Sequence, residues 1–148
     1  MSDNYAIKNS YRIIKEMRLI VEYHKGVGKL EDAIAFRTIQ AADPDFSPDF
    51  DIIMDLRDLL FDVQFSDMKG FGDFYLQNIN LMGKRHNALI TETPSQVVVA
   101  TLFKRMNVSL PQTIKVVSTV GAAINWVNSE LSGQQVTAII EELKQKAI

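Results

Sequence analysis

The sequence lacks several features, and each absence excludes a class of protein. It contains no cysteine, which excludes disulfides, thiolate metal sites and a cysteine nucleophile and is typical of a reducing cytoplasm. No apolar run approaches the roughly 18 residues that a membrane helix needs. The polar start MSDNYAIKNS is unlike a signal peptide. We therefore expect a cytoplasmic protein with no integral membrane association.

The residues that are present are typical of a globular chain. The 148 residues are 47% hydrophobic and 23% charged, and a domain usually has roughly 150 residues. These values exclude a disordered chain. They predict a single domain that covers residues 1–148.

The acidic residues are concentrated in one segment. Nine aspartates lie from Asp43 to Asp73, and Arg57 and Lys69 are the basic residues among them. Because such a segment repels phosphate backbones, we expect no nucleic-acid partner. The aspartates are either solvated loop carboxylates or a surface that attracts a basic protein or a cation.

Hydrophobic periodicity predicts alternating strands and helices. The predicted strands are residues 11–16, 19–24, 51–56, 88–91 and 113–118, and the predicted helices are residues 29–42, 66–82, 94–107, 119–131 and 136–147. Residues 57–66 should form a loop, and Gly133 should end the fourth helix. This order predicts a single layered α/β domain with packed helices, a mostly parallel but mixed sheet and an antiparallel N-terminal edge strand.

The sequence does not carry the usual nucleotide-binding and catalytic motifs. Neither a P-loop nor a G-x-S-x-G elbow occurs, and Gly26-Val27-Gly28 lacks the third small residue of a dinucleotide fingerprint. The first aspartates of the acidic segment resemble the start of a calcium loop. However, Pro48 and Met54 stand where its glycine and glutamate should be. We therefore expect neither an enzyme nor a bound cofactor.

Histidine is scarce, and the two that occur are far apart. His24 lies at the end of a predicted strand, and His86 follows Lys84 and Arg85 at a predicted helix end. A cationic side chain is favourable at a helix C-terminus, so we interpret His86 as structural or solvated. No pair of histidines has the spacing of a metal site, and we expect no metal.

A cluster of polar residues follows the apolar run at residues 52–54. Ligands of open α/β sheets bind at the carboxyl ends of strands, which is where this cluster is predicted to lie. Its arginine can bind an anionic partner or close an ion pair at the surface, and its apolar residues can pack inward or form a docking patch. The candidate partner-binding residues are Asp55, Arg57, Asp58, Leu59, Phe61 and Asp62.

Three stretches of the sequence resemble one known family. They are YRIIKEMRLIVEYHKGVGKLEDA, DPDFSPDFDIIMDLRDL and VVSTVGAAINWVNSEL. Together they resemble the STAS domain, the SpoIIAA-like anti-sigma-factor antagonist fold, in its divergent STAS/CRAL-TRIO-like branch. The resemblance implies a small α/β fold that acts as a non-enzymatic binding or regulatory module. In signalling members a phosphorylatable serine follows the strand-ending aspartate, but here Leu56 follows Asp55, so we expect no phosphorylation switch.

Two functions follow from this resemblance. The first is a regulatory module that binds an unknown protein partner through the loop from Asp55 to Asp58 or through the exposed sheet edge. The apolar final helix also allows a homodimer. The alternative is a carrier of a small apolar or lipid-like ligand, as the CRAL-TRIO side implies, unless the same residues simply fill a core. The residues of that apolar pocket would be Phe71, Phe74, Tyr75, Phe103 and Met106. An enzyme would need Asp55 or Asp58 as its base, and we expect no enzymatic activity.

Overall fold

The computed structural model describes residues 6–147, and within them five strands form one sheet. The strands are β1 (Lys8–Ile14), β2 (Leu19–Gly28), β3 (Asp51–Phe61), β4 (His86–Ile90) and β5 (Thr113–Val117). They lie side by side in chain order. Only the β1–β2 pair is antiparallel, and the other pairs are parallel. The predicted α/β class, with its mixed sheet and antiparallel N-terminal edge strand, is confirmed.

Five α-helices connect or follow the strands within the same residues. They are α1 (Leu30–Ala41), α2 (Phe65–Gln77), α3 (Pro94–Met106), α4 (Val120–Val127) and α5 (Gly133–Lys146). Side-chain caps fix several of their starts: Thr93 accepts from the Gln96 N–H, and Ser132 accepts from the Gln135 N–H. Such caps satisfy amide groups that have no partner inside the helix. None of the helices in the described part of the chain is long and apolar enough to span a membrane.

One face of the sheet packs against α4 and α5. Alternate side chains of β2 meet the apolar stripe of α5, because successive strand residues point to opposite faces. The buried members of this core are Leu19, Val21, Tyr23, Ile53, Ala88, Ile90, Val117, Ala123, Ile124, Val127, Val136, Ile139, Ile140, Leu143 and Ala147. This is the main hydrophobic core of the described residues.

The opposite face is covered by α1, α2 and α3, and it is less uniformly apolar. A smaller core forms there around Leu56, Leu89 and Ile114. Glu22 and Asn87 are both fully buried on this face. The strand register places Glu22 beside Met54, and Asn87 between Ile52 and Ile114. Polar side chains therefore lie inside the layer between the sheet and these helices.

Two predicted boundaries in the middle of the sheet are wrong. Gly26 and Gly28 do not end β2: after an irregularity between Tyr23 and Lys25, the strand stays paired with β3 as far as Gly28. Gly26 adopts a φ of 90°, and a Cβ there would lie 2.4 Å from the Ala6 carbonyl oxygen. Only glycine adopts such a conformation readily.

The continuation of β2 gives β3 a partner as far as its last residue. Leu59 pairs with Gly26, and Phe61 pairs with Gly28. The predicted loop at residues 57–66 is therefore strand up to Phe61 and helix from Phe65 onward. Only residues 62–64 connect β3 to α2.

Other predicted ends also differ from the structure. The second helix stops at Gln77, five residues before the predicted end, and a single 3₁₀ turn, Ile79–Leu81, follows it. The fourth helix ends at Val127, where Asn128 takes a left-handed conformation with a φ of 52°. Gly133 begins α5 instead of ending α4, and His86 begins β4 instead of ending a helix.

Candidate functional site

A cavity of about 160 Å³ lies between the sheet and helices α1, α2 and α3, and we call it the central cavity. Most of its wall is apolar. The strands contribute side chains such as Met54 and Leu89, and the helices contribute Ala33, Phe71 and Phe103. Three separate helices thus form the roof of the cavity, and the sheet forms its floor.

The starts of α1 and α2 form a part of the cavity wall that reaches solvent. Lys29, just before α1, lines it and is exposed, and Leu30, Val63 and Asp67 line it and are half-buried. A Cβ on Gly70 would lie 3.1 Å from the Leu30 side chain. The two helices are therefore in close contact beside this part of the wall.

A buried ion pair lies next to the cavity. Glu22 of β2 is fully buried and accepts hydrogen bonds from Arg37 of α1, from Gln40 Nε2 at 2.8 Å and from His24 Nε2 at 3.0 Å. Burial alone would raise the pKa of Glu22, but Arg37 and His24 outweigh it and hold that pKa well below the usual carboxyl range. Burial would lower the pKa of Arg37, and the Glu22 charge holds it above its ordinary value instead. Both groups are therefore ionised at neutral pH.

A second arginine has no such partner. Arg85 lines the cavity immediately before β4 and is 3% exposed. Its Nε and Nη1 atoms have no hydrogen-bond partner within residues 6–147. Burial lowers the pKa of Arg85, and the charge of Arg37 lowers it further, while Tyr75 and Glu22 oppose both effects.

Two amide side chains lie beside this arginine on the floor of the cavity. Asn87 and Gln112 both line it, and the Asn87 Nδ2 group donates to Gln112 Oε1. The Asn87 Oδ1 atom is buried without a partner in the described part of the chain. Asn87 lies two residues after Arg85, and both side chains line the same cavity.

Three of the five predicted apolar-pocket residues line the cavity. They are Phe71, Tyr75 and Phe103. The Phe71 ring meets those of Tyr75 and Phe103 edge to face, at centroid distances of 5.0 and 4.9 Å. Phe74 instead packs in a neighbouring cluster with Tyr75. Met106, at the end of α3, is half-buried and does not line the cavity.

The six candidate partner-binding residues occupy different environments along and just after β3. Asp55 is 1% exposed and accepts two side-chain hydrogen bonds from Arg57, each 2.9 Å long. These hydrogen bonds raise the pKa of the Arg57 guanidinium. Asp58 is exposed and accepts from the Tyr23 hydroxyl.

The remaining three lie nearer the cavity or in solvent. Leu59 is buried, Phe61 is half-buried, and both line the central cavity. Asp62 follows the strand and is exposed. The role of these six residues in partner binding stays a prediction.

The polar groups of the cavity floor were not found from the sequence. A signal for them was nevertheless present: Glu22 interrupts the apolar run LIVEY. In addition, Arg85, Asn87 and Leu89 occupy alternate positions just before and within β4. A polar residue on the buried face of a strand needs an internal partner or a ligand. The sequence did not show that both faces of these strands are buried.

Comparison with known proteins gives one informative likeness. No protein-family model matches the sequence, and no curated protein is significantly similar to it. A solved structure of an uncharacterised protein of the DUF3478 family from Shewanella loihica PV-4, described as having a SpoIIAA-like fold, matches with a TM-score of 0.53. The match covers 82% of this chain and 94% of that chain at 14% identity.

The chain has a SpoIIAA-like fold. The resemblance found in the sequence is thereby confirmed for the architecture. At this identity the likeness shows the fold alone, and one fold carries many functions. The function of this SpoIIAA-like chain must therefore be inferred from its own side chains.

Proposed function

We propose that this SpoIIAA-like chain is a non-enzymatic binding module that holds a small, mainly apolar molecule in the central cavity. The observation that carries the proposal is the cavity itself, about 160 Å³ in volume and walled mostly by apolar side chains. An apolar cavity of about 150 Å³ in another protein takes up benzene. Of the two functions predicted from the sequence, the cavity favours the ligand carrier.

The arrangement of the wall supports this proposal. Ligand pockets combine an apolar lining with a few polar groups that orient the ligand. Here Phe71 and Phe103 supply aromatic surface, and Arg85, Asn87 and Gln112 supply the polar groups. Part of the wall reaches solvent, because Lys29 is exposed and Leu30 is half-buried.

Binding of uncharged probes tests the proposal. Toluene and 1-hexanol would be titrated into the full chain and followed by amide chemical shifts and by thermal melting. We expect saturable shifts centred on residues that line the cavity, such as Ala33 and Leu89. We also expect a melting temperature that rises with probe concentration, because a ligand of the folded state stabilises it.

A matched pair of variants on α1 locates the binding site. Ala33 lines the cavity, whereas Ala35 is exposed on the same helix. Ala33→Phe should fill the cavity and abolish probe binding, and Ala35→Phe should bind like the unmodified chain. Equal binding by both variants, or no saturable binding by the unmodified chain, would show that the cavity is not a ligand site.

A second candidate function, contact with another protein, is supported by a different surface. Leu60 of β3 is 63% exposed and shares a groove with Arg57, Asp58 and the first turn of α3. We propose a second copy of this chain as the partner, because the groove carries both signs of charge, on Arg57 and Asp58, and such a surface can pair with itself across a two-fold axis. Sedimentation equilibrium should then show a dimer that Leu60→Ser dissociates. A monomer at all concentrations would remove the proposal.

A further inference from the structure

We propose that the ligand of the central cavity is a small monocarboxylate with an apolar body, and that Arg85 binds its carboxylate. This inference rests on the proposed function, and it goes further because it assigns the chemical class of the ligand and the residue that selects it. It starts from Arg85, which is 3% exposed and has two guanidinium nitrogens without a partner in residues 6–147.

An arginine in this state is unusual. A buried charge is costly unless it is paired and hydrogen-bonded, and nearly all buried polar groups in folded proteins have a partner. The Nε and Nη atoms of a guanidinium form a planar fork that matches the two oxygens of a carboxylate. A carboxylate in the cavity would supply the missing acceptors.

The balance of charge around the cavity floor also indicates that the ligand is an anion. Arg37 and Arg85 are buried cations, and Glu22 is the buried carboxylate that attracts them. The Glu22 oxygens already accept from Arg37, Gln40 and His24. One positive charge is thus left over on the floor, and a single negative charge would balance it.

Charged residues near solvent do not remove this excess. Asp67 is half-buried and lines the cavity, and its Oδ2 atom accepts from the backbone N–H of Gln64 at 2.7 Å. Lys29 is exposed and also lines the cavity. The opposite charges of Asp67 and Lys29 offset each other, so the single excess positive charge on the floor is left.

The neighbouring amide pair can adapt to a carboxylate. The Asn87 amide donates to Gln112, which leaves Asn87 Oδ1 without a partner in the described part of the chain. Rotating both amide groups by half a turn exchanges donor and acceptor, since the two ends of an amide have nearly the same shape. Asn87 would then offer an N–H group beside Arg85.

The size of the cavity and its single excess charge restrict the ligand. A phosphate monoester carries nearly two negative charges at neutral pH, and one of these would stay unpaired against the single free cation. A volume of about 160 Å³ and a mostly apolar wall suit a short-chain or aromatic carboxylic acid. Benzoate and hexanoate are probes of this class.

The experiment compares acids with their neutral isosteres on the unmodified full chain. Calorimetric titration should show that benzoate binds about tenfold or more tightly than benzamide, because hydrogen bonds to charged groups are the stronger ones. Hexanoate should show the same preference over hexanamide. Equal or weaker binding of both acids would overturn the inference.

Two variants test the role of Arg85. Arg85→Met should remove the preference for the acid while benzamide still binds, whereas Arg105→Met, at an exposed position of α3, should keep the preference. Because Arg85→Met also removes an unpaired buried charge, the ligand-free variant should melt at a higher temperature than the unmodified chain. A preference that survives Arg85→Met would overturn the assignment of Arg85.

The two proposals fail in different ways. Binding of toluene and benzamide without any preference for benzoate would overturn the carboxylate inference and leave the proposed function in place. Absence of saturable binding for all of these probes would overturn both. Neither result depends on whether a variant folds, because both are read from the unmodified chain.

Discussion

Arg37 on α1 donates to Glu22 on β2 through both of its terminal nitrogens, and the contact from Nη2 to Oε1 is 2.8 Å long. Glu22 is fully buried, and the Arg37 side chain is 9% exposed. Because α1 forms part of the roof of the central cavity and β2 belongs to its floor, this pair fixes part of the roof to the floor.

Removing Arg37 should destabilise the protein strongly. Arg37→Met leaves Glu22 buried without its main counter-ion, and breaking a buried pair in this way costs about 3–5 kcal/mol. Urea denaturation would measure the loss. Arg12→Met, which breaks the exposed contact with Glu142, is the control and should cost less than about 1 kcal/mol. Similar losses in the two variants would contradict the central role of the pair.

The same pair predicts how stability depends on pH. The pKa of Glu22 is lower in the folded than in the unfolded chain, so its contribution is complete above the ordinary carboxyl pKa of about 4. As the pH falls below about 5, the unfolded chain takes up a proton that folded Glu22 does not, and the free energy of unfolding decreases. Urea melts across this range should show a shallower decrease for Glu22→Gln. An equal decrease in the free energy of unfolding in both proteins would show that Glu22 is not responsible for the pH dependence.

Adjacent leucines of β3 should respond in opposite ways to truncation. Leu59 is 7% exposed and belongs to the core beneath α3, whereas Leu60 is 63% exposed. Leu59→Ala should cost about 2–5 kcal/mol, and Leu60→Ala should stay within about 0.5 kcal/mol. Chemical denaturation of both variants checks this. A large loss of stability for Leu60→Ala would mean that the Leu60 side chain is covered, for example by a second copy of the chain.

The final helix should be essential for folding. Val136, Ile139, Ile140 and Leu143 are all buried against the sheet, and burying such a side chain contributes about 1.5–3 kcal/mol. Native stability is only about 5–15 kcal/mol. A chain truncated after Ser132 should therefore aggregate or lose its cooperative melting transition. A monomeric, cooperatively melting truncation would show that α5 is an appendage.

The class of fold could be predicted because its signals are local. Alternation of strand and helix patterns along the chain is enough to predict a layered sheet with an antiparallel edge strand. The length of β3 could not be predicted in the same way. It depends on the continuation of β2 through Gly26, which local rules interpret as a break, and on pairing with residues distant in sequence.

The candidate site could be predicted only in part, for a similar reason. Phe71 and Tyr75 follow helical spacing, and Phe103 lies on a predicted apolar helix face, so the sequence alone makes all three candidates. Whether such a face meets a cavity or a filled core depends on how three helices rest on the sheet, which sequence spacing does not specify. Arg85 was missed because its segment was interpreted as the end of a helix, whereas it leads into β4.

The placement of α4 and α5 after the last strand has a consequence for how the protein is made. Synthesis proceeds from the N-terminus at roughly 5–20 residues per second, so all five strands emerge before residues 120–147, which cover one whole face of the sheet. A sheet that formed as its strands emerged would leave Leu19, Val21 and Ile53 open to solvent until α4 and α5 followed, an interval on the order of seconds. We expect the chain to be most prone to aggregation in this interval.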